Sequence, residues 1–300
     1  DGVNELVFAD LPVEGKTVPV VMQANRNGFF YVIDRANGKL ISAKPFINGV
    51  NWATGVDLKT GMPIEAANNE KRPRLKKWAR DICPNLVGGK NWMPMSYNPK
   101  TGLVYIPTMN LCMDLEGIQE EYKRGQFYLG VNFDLSKVGA GGHGGGLKAW
   151  DPVKQKEVWF NKEELPFNGG TMTTAGNLVV QSSIRKTLSI YSADKGELLW
   201  EMPIDSVAPG GPVTYEVDGK QYLAINAGWN SALVYGLNEG GVPFTYAPAR
   251  LLVFALDATG LRLPSPPEPA SLVAPPATQF ARDQIDRGEQ LFASTCQLCH

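Results

Sequence analysis

Leu147-Lys148-Ala149-Trp150-Asp151-Pro152-Val153-Lys154-Gln155-Lys156-Glu157-Val158-Trp159 and Leu188-Ser189-Ile190-Tyr191-Ser192-Ala193-Asp194-Lys195-Gly196-Glu197-Leu198-Leu199-Trp200 are two copies of one phrase. Each is an apolar run, a short polar turn and a second run that closes on Trp. The copies are 41 residues apart at both ends. Looser copies occupy residues 29–41 around Asp34 and Gly38, 96–106 around Asn98 and Gly102, and 253–260 around Asp257 and Gly260. The phrase reads as a hairpin: an Asx side chain bonds nearby backbone, and Gly supplies the positive φ of the turn. Some copies are degenerate, with Ser192 in the place of Asp151 and Gln155 in the place of Gly196. A period near 40 built from short strands predicts an all-β fold, a β-propeller with one four-stranded blade per repeat. An all-β sandwich with similar turns is the alternative.

The rest of the composition agrees with many short strands. The 300 residues include 32 Gly and 22 Pro, and 43% are hydrophobic, enough for a sizeable core. A net charge of −1 shows no basic excess, which argues against nucleic acid as a partner. No apolar run reaches membrane-spanning length and no signal peptide opens the chain. The chain begins at Asp1 without Met, close to the apolar run Leu6-Val7-Phe8, so it reads as an internal piece of a longer polypeptide. Residues 261–276 are crowded with Pro, Ala and Ser and read as a stiff linker. The expected organisation is propeller over 1–262, linker over 263–279 and a further domain beginning at 280.

That last segment ends in Cys296-Gln297-Leu298-Cys299-His300. C-x-x-C-H is the attachment pattern for c-type haem: Cys296 and Cys299 bond the porphyrin and His300 takes an axial iron position. A zinc half-site or a thioredoxin-like pair would use a bare C-x-x-C. Residues 280–295 fit a short amphipathic helix, with Ile285, Gly288, Leu291 and Phe292 on one face. The two remaining cysteines, Cys83 and Cys112, could pair in an oxidising compartment, closing a loop of about 30 residues for roughly 3 kcal/mol, or stay as buried thiols. Covalent haem implies a location outside the bacterial cytoplasm and favours the disulfide. The run from Gly141 to Gly146 lacks the Lys-Ser/Thr ending of a phosphate loop; it reads as a surface loop or a close backbone approach, with His143 an ordinary loop residue.

A propeller joined by a proline-rich linker to a c-type cytochrome resembles the pyrroloquinoline quinone (PQQ) alcohol dehydrogenases of the quinohaemoprotein type. The likeness runs along the chain. It includes the stretch from Asn25 to Arg35, Arg80-Asp81-Ile82-Cys83-Pro84, Asn110-Leu111-Cys112-Met113-Asp114, the stretch from Gly169 to Gly176, and Ala227-Gly228-Trp229. The resemblance implies part of an eight-bladed propeller followed by the first helix of an α-helical cytochrome c domain. It makes Cys83 and Cys112 the disulfide cysteines and Arg26 the cation beside the reactive carbonyls of PQQ. It also makes Asn91 an amide donor to that edge, and Trp92 and Trp229 further PQQ contacts. Many haem-bearing relatives carry Lys where Arg26 stands, a departure that blurs the subclass. Arg26 as a surface ion pair, Asn91 as a turn residue and the tryptophans as packing residues are the plain alternatives.

The same resemblance places the general-base Asp just upstream of residue 1, with Asp1 itself a lesser candidate, and the calcium ligands further upstream. It implies an enzyme that oxidises an alcohol to an aldehyde or ketone with PQQ, calcium and haem c. The external acceptor would be a cytochrome, a copper protein or a quinone, and the setting periplasmic. A PQQ dehydrogenase for sugars or amines, or a propeller scaffold with a haem tail, is the alternative reading. This chain alone is expected to be inactive and poorly soluble, because a partial propeller leaves blade faces uncovered.

Overall fold

The computed structural model describes residues 2, 4–67, 70–124, 128–228, 249–259 and 280–295. Trp229, the linker, Cys296, Cys299 and His300 lie outside them. Twenty strands and one helix are present among the described residues. Four sheets follow one another along the chain. The first holds β1 (Val7–Val13), β2 (Lys16–Ala24), β3 (Phe29–Asp34) and β4 (Leu40–Pro45), paired antiparallel in that order. The second holds β8 (Ser96–Asn98), β9 (Leu103–Met109), β12 (Gly145–Asp151) and β13 (Lys156–Glu163). The third runs β14 (Thr171–Thr173), β15 (Leu178–Ser183), β16 (Thr187–Ser192), β17 (Leu198–Pro203). The fourth has β18 (Val213–Val217), β19 (Lys220–Ala227) and β20 (Arg250–Ala255).

These sheets are propeller blades stacked face to face. Leu11, Val20, Met22 and Val32 of the first pack with Val104, Ile106 and Trp150 of the second. Leu103, Tyr105 and Leu147 meet Val179 and Ala193 of the third, and Val180 and Leu188 meet Ile225 and Leu252 of the fourth. Each interface is alternate side chains from two sheets, the arrangement that period-two patterning produces. The two outermost faces have no such cover among the described residues. Phe8 is 59% exposed on the first blade, and Leu251 is 64% exposed on the fourth beside Val213, Tyr215 and Val217.

The repeated phrase is the turn expected. In three copies, and in the turn from Asp57 to Gly61 that is not among those copies, the Gly N–H donates to the carbonyl of the Asx or Ser four residues earlier, at 2.8 Å: Gly38 to Asp34, Gly61 to Asp57, Gly102 to Asn98 and Gly196 to Ser192. Their φ angles lie at 76°, 72°, 69° and 73°; Gln155, in the degenerate copy, adopts 52°. The hairpins β3–β4, β12–β13 and β16–β17 also share a bulge at the equivalent point, before Ile33, Trp150 and Tyr191. The copy at 98–102 differs in place: it joins the first two strands of its blade, not the last two. Trp159 closes its blade onto the next. Its indole Nε1 donates to Ala193 O (3.1 Å), and its ring lies where a Cβ on Gly196 would be only 2.7 Å away.

Between β9 and β12 the chain leaves the second blade. β10 (Leu111–Gly117) pairs with β11 (Val131–Val138) on one side and β7 (Trp78–Ile82) on the other in a separate sheet. A small hairpin of β5 (Ala53–Val56) and β6 (Pro63–Glu65) sits nearby in sequence. The glycine run behaves in two ways. Gly141 and Gly142 take positive φ in a turn, whereas a Cβ on Gly144, Gly145 or Gly146 would come within 2.5 Å of backbone oxygen. His143 is buried against Phe160, with Nδ1 at 3.1 Å from Gly145 O, so the loop is packed and not a free surface feature. The helix α1 (Arg282–Thr295) has the side chain of Gln284 accepting from the Ala281 N–H at its start (3.1 Å) and an Arg282–Asp286 pair. No described helix is long and apolar enough to cross a membrane.

Candidate functional site

Arg26 sits in the turn between β2 and β3, where Asn25 O accepts from Gly28 N–H and Asn25 N–H donates to Phe29 O. Its main chain is clamped by the stretch Gly88-Gly89. Gly89 N–H donates to Arg26 O (3.0 Å), and a Cβ on Gly88, whose φ is +92°, would lie 2.7 Å from Arg26 Cα. Only glycine tolerates both the conformation and the contact. The guanidinium donates to Leu86 O, and burial holds its pKa below the ordinary arginine value; arginine keeps its charge regardless.

This cation lines a cavity of about 460 Å³. One wall is the turn itself, Asn25 and Asn27, with Trp52 bonded through Nε1 to Asn27 O (3.2 Å). Another is Ile82, Met113 and Leu115 from β7 and β10, followed by Pro84, Asn85 and Leu86. Glu65, Lys71 and Arg72 also belong to the lining. Cys83 and Cys112 form the disulfide, which ties β10 to the segment carrying Pro84 and Asn85. Asn85 N–H donates to Leu111 O at 2.7 Å on the same seam. Gly2 also lines the cavity.

Asn91 and Trp92 follow Gly88-Gly89 directly but are not part of this lining. The Asn91 side chain is engaged locally: Nδ2 donates to Val87 O and Oδ1 accepts from Trp92 N–H, each at 2.8 Å. Trp92 packs on Met93, Met109, Phe167 and Ile184. Between them, Lys90 is fully buried and donates to Glu5 Oε2 (2.7 Å) and Asn91 O (2.9 Å). Burial lowers the Lys90 pKa and the Glu5 charge partly restores it. Glu5 Oε1 also accepts from Met95 N–H (2.6 Å). This pair had no signal in the sequence, because 85 residues separate its members. It pins the incoming chain to the segment behind Arg26.

Between the cavity-lining Met113 and Leu115 in the chain, buried Asp114 accepts from Arg80 Nη1 (2.6 Å), Lys137 Nζ (2.8 Å) and Asp81 N–H (2.8 Å). Burial alone would raise its carboxyl; the bonds from Lys137, Arg80 and Asp81 overcome that and hold it well below the usual carboxylate range. The described residues contain no group of three or more His, Cys, Asp or Glu able to share a metal ion.

Three four-stranded sheets and a fourth of three described strands, with a cationic, partly apolar cavity beside a turn of the first, define the class of fold: this is part of a β-propeller. Residues 143–223 match the PQQ family model described as the glucose/ethanol/alcohol dehydrogenase β-propeller domain. Within that class the particular likeness is to quinohaemoprotein alcohol dehydrogenases, which are this chain's homologues across 99% of its length. Quinohemoprotein alcohol dehydrogenase ADH IIB of Pseudomonas putida is 43% identical over 99% of this chain and 43% of its own length. The structure of quinohemoprotein alcohol dehydrogenase ADHIIG from Pseudomonas putida HK5 superposes with a TM-score of 0.76 at 38% identity, over 99% of this chain and 45% of that one. The quinoprotein ethanol dehydrogenase of Pseudomonas aeruginosa is 40% identical over 77% of this chain and 38% of its own. The chain thus spans under half the length of these relatives.

Proposed function

We propose that this chain is the C-terminal part of the propeller, and the start of the cytochrome domain, of a PQQ-dependent quinohaemoprotein that oxidises alcohols to aldehydes or ketones. The observation that carries the reading is the Arg26 cavity: a half-buried cation fixed by Gly88 and Gly89 in a preformed wall. The residues present suit PQQ, a flat tricarboxylated quinone that, when bound, supplies the hydride acceptor. A fixed cation stabilises negative charge developing on a nearby oxygen without having to reorganise. Arg26 would do this, while Trp52, Ile82, Met113 and Leu115 exclude water from the same space. Asn91, Trp92 and Trp229 remain proposed contacts; Asn91 would have to exchange its bond to Val87 O for one to the quinone.

The general base, an Asp expected before residue 1, would take the hydroxyl proton. Its proposed position suits the placing of Gly2 on the cavity wall. Calcium, with ligands outside this chain, would serve as Lewis acid. Electrons would leave through the haem held by Cys296, Cys299 and His300 toward an external cytochrome, copper protein or quinone. The haem-bearing subclass is favoured because ADH IIB, whose name carries both groups, aligns with 99% of the chain and the quinoprotein ethanol dehydrogenase with 77%. A disulfide suits a periplasmic setting. We further propose the division into propeller to 262, linker 263–279 and cytochrome from 280, with eight blades in the complete ring. The test is PQQ-dependent dye reduction by the complete polypeptide with a panel of alcohols. Turnover that requires both PQQ and alcohol is expected; no rate above background with any alcohol would refute the assignment.

A further inference from the structure

Resting on that reading, we infer that the cationic lining of the Arg26 cavity selects alcohols that carry a carboxylate remote from the hydroxyl. Arg26, Lys71 and Arg72 line the cavity together with a single carboxylate, Glu65. Three cations against one anion leave the wall positive, although the whole chain carries a net charge of −1. The excess continues along the chain: residues 71–80 hold Lys71, Arg72, Arg74, Lys76, Lys77 and Arg80 and no Asp or Glu. Glu70, just before this run, does not belong to the lining. Arg80 is paired with Asp114. Lys71 Nζ instead donates to a neutral acceptor, Arg80 O, at 2.7 Å. Arg72 Nη1 lies 3.9 Å from Glu65 Oε2, too far for a hydrogen bond.

The side chains of Arg72 and Glu65 are 68% and 52% exposed, so their part of the wall borders solvent. A substrate crosses that border at every turnover, whereas a bound cofactor stays. At physiological ionic strength a charge acts over about 8 Å, about the width of a cavity of 460 Å³. The cations therefore act on an anion anywhere inside it, whichever way the Arg72 side chain points. Charges of one sign around a cleft raise the local concentration and the on-rate of an oppositely charged ligand. Trp52, Ile82, Met113 and Leu115 offer apolar wall to the hydrocarbon part of such a substrate. PQQ carries carboxylates as well, and the two sources give different results.

The experiment uses the full-length holoenzyme and two alcohols of matched size, ω-hydroxyhexanoate and ω-hydroxyhexanamide, at low and at physiological ionic strength. The ratio of their kcat/KM values, carboxylate over amide, should be about ten in wild type at low salt and should shrink as salt rises. Arg72→Glu should lower the low-salt ratio about fivefold or more, and Arg72→Lys, which keeps the charge, should hold it within about twofold of wild type. A wild-type ratio of one or below at low salt, or a ratio that Arg72→Glu leaves unchanged, would overturn the inference. PQQ titration of the apoprotein, followed by protein fluorescence, is the second arm. Weaker PQQ binding by Arg72→Glu with an unchanged ratio would assign the cations to the cofactor and equally overturn the inference. Oxidation of neither alcohol by PQQ-loaded wild type would instead refute the proposed function.

Discussion

At Gly88 a single methyl group separates two predictions about the site. Alanine there must hold a left-handed φ and press on Arg26 Cα. Together these should destabilise the protein by about 2–4 kcal/mol and displace Arg26. Urea denaturation reads the first effect and weakened PQQ retention the second; a stable Gly88→Ala variant with normal retention would show that the clamp is not needed. Asp114 makes a pH prediction. Its folded pKa lies below the unfolded value of 3.8, so its stabilisation is full above that value and is lost as pH falls through the folded one. Melting temperature should therefore fall below about pH 4 more steeply in wild type than in Asp114→Asn, which at neutral pH should already be destabilised because Arg80 and Lys137 lose their shared partner. Parallel pH profiles would contradict this. Of these residues Arg26 was singled out by its motif, and it lines the cavity. Lys90 and Asp114 were not singled out, since a buried charge is a property of contacts between distant segments.

Among the elements, the hairpins were the most legible, because Asx-to-Gly turn chemistry is local. Their blade positions were less so: 98–102 has the same chemistry as 34–38 but joins a different strand pair. The β7–β10–β11 sheet had no repeat to announce it, only the two cysteines. That sheet shapes the cavity through Ile82, Met113 and Leu115, and its disulfide should matter accordingly. Replacing Cys83 and Cys112 together by Ser should cost about 3 kcal/mol, read by denaturant titration, and should loosen Asn85. A double variant with an unchanged midpoint would show the seam to be held by packing alone. Trp159 couples the second blade to the third, so Trp159→Ala should cost about 3–5 kcal/mol, whereas Trp200→Ala should cost less, since Trp200 is 41% exposed.

On the scale of the whole molecule, the blades form a stack with two apolar ends. Phe8 at one end and Val213, Tyr215 and Leu251 at the other are side chains that a complete ring would cover. Ile285, Leu291 and Phe292 of α1 are exposed as well. This chain by itself should therefore self-associate and bind a hydrophobic dye, and the complete polypeptide should not; sedimentation of a monodisperse monomer of the isolated chain would argue otherwise. The propeller could be read from local pattern, whereas the proposed quinone rests on order and spacing along the chain and on the cavity beside Arg26. The most direct test of that assignment is the visible spectrum of the complete, purified polypeptide under anaerobic conditions as alcohol is added. The account predicts a covalently bound haem that becomes reduced when PQQ and alcohol are both present and stays oxidised when either is withheld. Haem reduction that ignores PQQ, or a polypeptide with no attached porphyrin, would contradict it.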